Sequence, residues 1–250
     1  MTLRDFFQEH PKAAIAFSGG VDSAYLLYAA LKWGQDIRAY YVSSAFQPEF
    51  ELEDAQRLAK ELHGQMRILP LDVLKEPAVT ANGKDRCYHC KKRIFSQILG
   101  AAREDGFSLI LDGTNASDDA RDRPGMRALR EMEVRSPLRE CGLTKAEIRQ
   151  KSREAGLFTW DKPAYACLAT RIPTGERITE EKLQRTEQAE TYLAALGLRD
   201  FRVRSQENHA RIQVCEKDME TVLAHRREIL TELKQNYSRV LLDLEARDEQ

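Results

Sequence analysis

The chain has 250 residues, enough for one large domain or two modest ones with a proper core. Its 39 basic residues balance 40 acidic ones, a net charge of −1, which excludes a strong general field for nucleic acid or membrane. No stretch is low in complexity and no apolar run reaches membrane-spanning length, which argues against extended disorder and a membrane helix. Residues 1–12 lack the apolar centre of a secretory signal, and five cysteines without a regular framework suit a reducing cytosol. A soluble, cytoplasmic protein is expected.

In chain order, the apolar run 13–17 reads as a buried strand, and 24–31 reads as a helix. Between them lies Ser18-Gly19-Gly20-Val21-Asp22-Ser23. A strand that enters a glycine turn and then a helix is a layout for binding phosphate. Gly19 and Gly20 can adopt backbone angles closed to other residues, and the amides at the helix start favour negative charge. Ser18 and Ser23 add hydroxyl donors, and Ser23 suits a helix cap. The Walker pattern with its lysine is missing. The bland alternative is an ordinary glycine turn.

Alternation continues with a strand over 37–42, a helix over 48–62 and a strand over 65–69. A helix over 88–103, a strand over 108–112 and a fifth strand over 134–138 follow. The last helix of this half covers 144–155, where Thr144 and Glu147 match a capping box. Strands separated by helices imply an α/β, doubly wound parallel sheet whose ligands gather at the strands' carboxyl ends. The glycine loop and Asp112-Gly113-Thr114-Asn115 both fall there. Trp160-Asp161-Lys162-Pro163 breaks the pattern, giving two expected domains, 1–160 and 161–250. The second begins with a loop over 164–178, and Thr179 then caps a helix over 180–196. Strands at 201–204 and 210–214, a helix over 217–233 and a strand over 239–244 complete a smaller α/β domain.

Cys87 and Cys90 form a CxxC, and Cys167 lies far away in sequence beside Arg171. A lone CxxC fits a redox dithiol, half a zinc site or part of an iron–sulfur site. A structural zinc wants four ligands, and no second close Cys/His pair exists. Cys167 alone would read as a small buried apolar residue, but Arg171 can hold a thiolate or phosphate nearby. Cys141 and Cys215 read as structural.

The SGGVDS loop resembles the signature of the PP-loop ATP pyrophosphatases (adenine nucleotide alpha hydrolase-like), which implies substrate adenylation. Residues 18–23, 87–91, 112–115 and 160–179 occur in the same order in the LarE family, and 201–204 extend the match into the second domain. The resemblance implies an ATP-dependent sulfur transferase acting on pyridinium-3,5-biscarboxylic acid mononucleotide. Its product is the bisthiocarboxylate from which the nickel-pincer cofactor of lactate racemase is made. A carboxylate is a poor electrophile, and adenylation turns its oxygen into a leaving group. Ser18, Gly19, Gly20, Asp22, Ser23 and Thr114 are the candidate ATP residues, with Mg2+ on Asp22 and on Asp118 or Asp119.

For the sulfur donor the family divides. In one branch the equivalent of Cys167 surrenders its own sulfur and becomes dehydroalanine. In the other, three cysteines hold a 4Fe–4S cluster that carries an extra sulfide on its open iron. Cys87, Cys90 and Cys167 together resemble the second branch. The resemblance also implies substrate binding by Lys91, Arg171, Glu190, Arg202 and Arg204, and a homo-oligomer such as a hexamer. Arg202 and Arg204, two apart on a strand, face one side and suit a phosphate. Glu187 and Glu190 share a helix face, where surface charge is the commoner explanation. Competing readings are a tRNA thiolase, against which the neutral charge stands, and an amide-forming ligase, which has no need of three cysteines.

Overall fold

The computed structural model describes residues 1–118 and 124–248. They form two compact units, one of residues 1–73 with 85–162, the other of residues 74–84 with 163–250. The second unit thus takes in a segment from the middle of the first, which a linear division at residue 160 does not contain.

The first unit opens with α1 (Leu3–Glu9), started by a capping box between Thr2 and Asp5. Then come β1 (Lys12–Ala16), α2 (Val21–Trp33), β2 (Asp36–Ser43), α3 (Glu49–Glu61) and β3 (Gln65–Pro70). The short α4 (Pro77–Thr80) belongs to the second unit. The first resumes with α5 (Arg86–Glu104), β4 (Ile110–Leu111), α6 (Pro124–Glu131), α7 (Pro137–Glu140) and α8 (Lys145–Glu154). All four strands are parallel, in the order β3-β2-β1-β4.

The strands β1, β2 and β4 are mostly buried on both faces, as a parallel sheet requires, while the edge strand β3 is largely exposed. Ala13, Ile15, Ile37, Ala39 and Tyr41 pack into the core shared with α1 and α2. Side chains alternate along a strand, so Tyr40 turns the other way. Its hydroxyl donates to Asp105, just past the end of α5, at 2.8 Å. Arg38 and Arg67 converge on the same carboxylate at 2.9 and 3.1 Å. The Tyr40 hydroxyl, followed by the two arginines, holds the Asp105 pKa down to about 2. A carboxylate depressed in the folded state stabilises it fully above the unfolded pKa, near 4, and loses that effect as pH falls towards 2. Asp105→Asn is therefore expected to flatten the acid limb of the stability curve between pH 4 and 2, read from urea midpoints across that range.

The expected fifth strand is reduced to a single bridge. Arg135 pairs with Leu111 beside β4, but Pro137 then starts the turn of α7. Proline has no amide to continue a ladder and suits the first position of a helix. β4 is also shorter than its sequence pattern, two residues instead of five. The capping box of Thr144 and Glu147 forms as read.

In the second unit, Thr179 caps α9 (Glu180–Ala195). Next come β5 (Phe201–Gln206), β6 (His209–Val214), α10 (Met219–Ala224), α11 (Arg226–Leu233) and β7 (Arg239–Leu242). β5 and β6 form a hairpin, and β7 returns parallel to β6 across the two helices. A single helix over 217–233 was expected. Instead, a 3-10 turn over Glu216–Asp218 precedes two helices that meet at His225. The loop over 164–178 carries a helical turn, Leu168–Arg171. Asn82, fully buried, ties the inserted segment in by donating to the carbonyls of Pro173 and Glu176 at 2.8 and 3.0 Å. Among the described residues no helix is long and apolar enough to cross a membrane.

Candidate active site

The strand order reverses direction at β1 and β4, and ligands of open parallel sheets bind at such a switch point. There the loop after β1 and the Asp112–Asn115 segment after β4 lie side by side. A Cβ on Gly113 would stand 2.9 Å from the Ser23 amide nitrogen, so only glycine allows this approach. Gly113→Ala is expected to push the two loops apart and cost about 1–3 kcal/mol. Thermal unfolding and ATP binding would both record the change.

The loop closes on itself through serine hydroxyls. Ser23 Oγ accepts from the Ser18 amide at 3.3 Å, lies 3.1 Å from Ser18 Oγ and donates to the Gly20 carbonyl at 3.1 Å. Ser23 is not the helix cap that the sequence suggested. Gly20 occupies that position without a side-chain bond, and Ser23 sits inside the first turn. Of the two glycines, Gly19 alone has a positive φ, +74°, while Gly20 is in ordinary extended backbone at −78°. Gly19 also lies against α3, where a Cβ would meet the Glu51 carbonyl at 3.1 Å and Ala55 Cβ at 3.2 Å.

A cleft of about 620 Å³ opens over this edge, within the size range of small-ligand sites. Ser18, Gly20, Asp22, Ser23, Asp112 and Thr114 supply its polar wall; Tyr40, Val42, Ile94, Phe95 and Ile98 are among its apolar lining. Cys87 and Lys91, one turn apart on α5, line it too. Arg86 Nη2 lies 3.5 Å from Cys87 Sγ. Cys90, half-buried on the same helix, is not a lining residue. Asp118 lines the cleft, whereas Asp119 lies outside the described residues. Asp112, buried, is held by Thr114 and Ser136 hydroxyls, each at 2.5 Å. Thr114 therefore reaches the cleft as the partner of Asp112.

Asp22 carries the feature that sequence reasoning missed. Lys145, the first residue of α8, places Nζ 2.6 Å from Asp22 Oδ2. Asp22 Oδ1 is buried with no hydrogen-bond partner. One hard carboxylate oxygen free of bonds fits a magnesium ion, which takes oxygen ligands. The sequence flagged Thr144 and Glu147 as a cap but gave no sign that Lys145 reaches across 123 residues.

The remaining candidates lie in the second unit. Cys167, half-buried, begins the turn over Leu168–Arg171, and its carbonyl accepts from the Thr170 amide and hydroxyl at 2.9 and 2.8 Å. Arg171 is fully buried and paired with Glu190 through two bonds, Nε–Oε1 at 2.7 Å and Nη2–Oε2 at 3.0 Å. Its Nη1 donates to the Ala166 carbonyl and to Thr170 Oγ1. Glu190 also accepts from the Tyr165 hydroxyl at 2.6 Å and the Val203 amide at 2.8 Å. Arg171 and Glu190, expected to hold substrate, bind one another and tie the Cys167 segment to α9 and β5. Burial opposes the Arg171 charge, but its bonds to Glu190 more than offset this, and its pKa stands above the ordinary guanidinium value.

Arg202 and Arg204 share one strand face, as read, and both reach that segment. Arg202 donates to the Ala164 carbonyl at 3.1 Å and Arg204 to the Thr170 carbonyl at 2.6 Å. Burial, then repulsion from Arg171 and Arg247, pushes Arg202 down to about 10, and Arg204 falls for the same reasons. Among the described residues no three His, Cys, Asp or Glu side chains gather as a metal site. Cys87 and Cys90 belong to one unit and Cys167 to the other.

A parallel sheet in this order, with SGGVDS at its switch point, has the α/β architecture of the PP-loop class. Residues 12–93 match the family described as queuosine biosynthesis protein QueC. An uncharacterised Synechocystis protein is 45% identical over 215 residues, 85% of this chain and 80% of its own length. The pyridinium-3,5-bisthiocarboxylic acid mononucleotide synthase of Lactiplantibacillus plantarum is 33% identical over 217 residues, 86% of this chain and 79% of that protein. The chain thus belongs to the LarE family of ATP-using sulfur transferases. More distantly, the tRNA-specific 2-thiouridylase MnmA of a Thermotoga species is 24% identical over 194 residues, 60% of this chain and 54% of that protein.

Proposed function

We propose that the chain converts the carboxylates of pyridinium-3,5-biscarboxylic acid mononucleotide to thiocarboxylates, for the nickel-pincer nucleotide. The observation that carries this reading is the presence of Cys87 and Lys91 in the same cleft as Ser18, Asp22 and Ser23. Thiol chemistry stands beside phosphate chemistry, which an ammonia-using ligase would not need. A substrate carboxylate oxygen attacks the α-phosphorus of ATP, pyrophosphate leaves and an acyl-adenylate forms. The amides and hydroxyls of the loop stabilise the departing pyrophosphate. Magnesium on Asp22 would neutralise its charge. A sulfur nucleophile then attacks the acyl carbon, and AMP leaves, its phosphate steadied by Lys91.

The arginine-rich face of β5 supports a role for Arg202 and Arg204 in holding the substrate's phosphate. Buried guanidinium groups that repel one another gain from an anion. Arg171 and Glu190 act in this reading as positioning residues. The near-neutral charge favours a small nucleotide over tRNA, and a homo-oligomer is part of the same proposal.

For the sulfur donor we propose Cys87, Cys90 and Cys167 as ligands of a 4Fe–4S cluster. Their chemistry fits: none is disulfide-bonded, Arg86 lies against Cys87, and Arg171 interacts with Cys167. When bound, such a cluster supplies a transferable sulfide. A second reading has Cys167 give up its own sulfur and become dehydroalanine. Anaerobic purification followed by iron and acid-labile sulfide analysis separates them. About four irons per chain, lost on replacing any of the three cysteines, supports the cluster. Absence of iron after reconstitution, with Cys167 found as dehydroalanine after turnover, supports the sacrificial route.

A further inference from the structure

We propose that Lys145 is a positioning residue of the nucleotide site that offsets the Asp22 charge and lets the loop accept a triphosphate before a divalent cation arrives. The inference rests on the ATP-using reading of the cleft. Asp22 lines that cleft within the phosphate loop, and a lone carboxylate there would repel the triphosphate. Its Oδ2 is held by Lys145 Nζ at 2.6 Å, while Oδ1 is buried without a partner. The pair is formed but not sealed off, with side chains 32% and 23% exposed. Lys145 is delivered to this spot by a fixed backbone. Its amide donates to Ser117 Oγ at 3.0 Å, and the Thr144–Glu147 box sets the helix start directly before it.

Two consequences follow from charge alone. Without metal, Lys145 is the cation paired with Asp22, so its loss leaves the carboxylate facing the triphosphate. With magnesium on Oδ1, Asp22 has a second cation and Lys145 matters less.

The test is equilibrium binding of ATP to the full-length chain by titration calorimetry, with a chelator and with excess magnesium. Lys145→Met is expected to weaken metal-free binding roughly two- to fivefold, the upper part of the range for a partly exposed pair, and magnesium–ATP binding by less than about 1.5-fold. Lys145→Arg should restore most of the metal-free loss. Added to Asp22→Asn, the Lys145→Met change should have no effect without metal, because no carboxylate remains to offset. Equal weakening under both conditions, or persistence of the loss in the Asp22→Asn background, would overturn the proposal and make Lys145 a general phosphate ligand. Absence of any change would overturn it too. If the unaltered protein binds no ATP even with magnesium, the ATP-using reading itself fails and takes this inference with it.

Discussion

Replacing Cys167 by alanine is expected to abolish thiocarboxylate formation, by at least about a thousandfold, while substrate-dependent pyrophosphate release continues. In the proposed reaction the two halves draw on different residues. Adenylation needs the loop over residues 18–23, Asp22 and the cleft, all in the first unit. Sulfur delivery in either proposed form needs Cys167, which lies in the second. The substitution removes only Sγ. The turn at Cys167 is held through its main-chain carbonyl, which accepts from the Thr170 amide and hydroxyl, and through Arg171 beyond it. Alanine keeps that carbonyl, so the fold should survive and the loss should be chemical. Product mass spectrometry and a pyrophosphate assay on the same samples read the two steps separately. Cys141→Ala, in the first unit away from the cleft lining, serves as the control and should change neither. Loss of pyrophosphate release together with sulfur transfer would mean that Cys167 also supports adenylation.

Glu190→Gln is expected to destabilise the second unit by about 3–5 kcal/mol, the cost of leaving one member of a buried ion pair without its counter-charge. Arg171 has no exposed surface, and the Glu190 carboxylate takes two of its bonds. Glutamine preserves the shape and one acceptor, but it leaves a cation buried among Arg202, Arg204 and Arg247, which already repel one another. Adding Arg171→Met should recover part of the loss, since the stranded charge is then gone. Urea unfolding gives the numbers. If Glu190 were only a substrate ligand, the single variant would raise KM and leave the unfolding midpoint where it was.

Local chemistry was the legible part of this chain. A run of apolar residues ending in SGGVDS reads as a buried strand turning into a glycine loop, and the structure closes that loop through Ser18 and Ser23 hydroxyls. Thr144 with Glu147, and Thr179, announce helix starts because a cap is satisfied within three residues. The alternating pattern of Arg202 and Arg204 likewise survives into the hairpin. What failed to show depends on partners distant in sequence. Lys145 meets Asp22 and Arg171 meets Glu190 only once the chain has folded, so neither pair leaves a local pattern. Asn82 looks like an ordinary turn residue, with its positive φ, yet its side chain bonds carbonyls some ninety residues further on. The apparent fifth strand misled for a different reason. Val134 and Arg135 do have a strand's character, but Pro137 ends the ladder after one bridge.

The most direct test of the account is to incubate the protein with magnesium, ATP and pyridinium-3,5-biscarboxylic acid mononucleotide and to follow AMP, pyrophosphate and product mass together. The account predicts AMP and pyrophosphate in equal amounts, formed only with the mononucleotide present. Product should gain the mass difference between sulfur and oxygen at each converted carboxylate. Release of ADP and phosphate instead, or AMP formation that proceeds with tRNA and not with the mononucleotide, would contradict it.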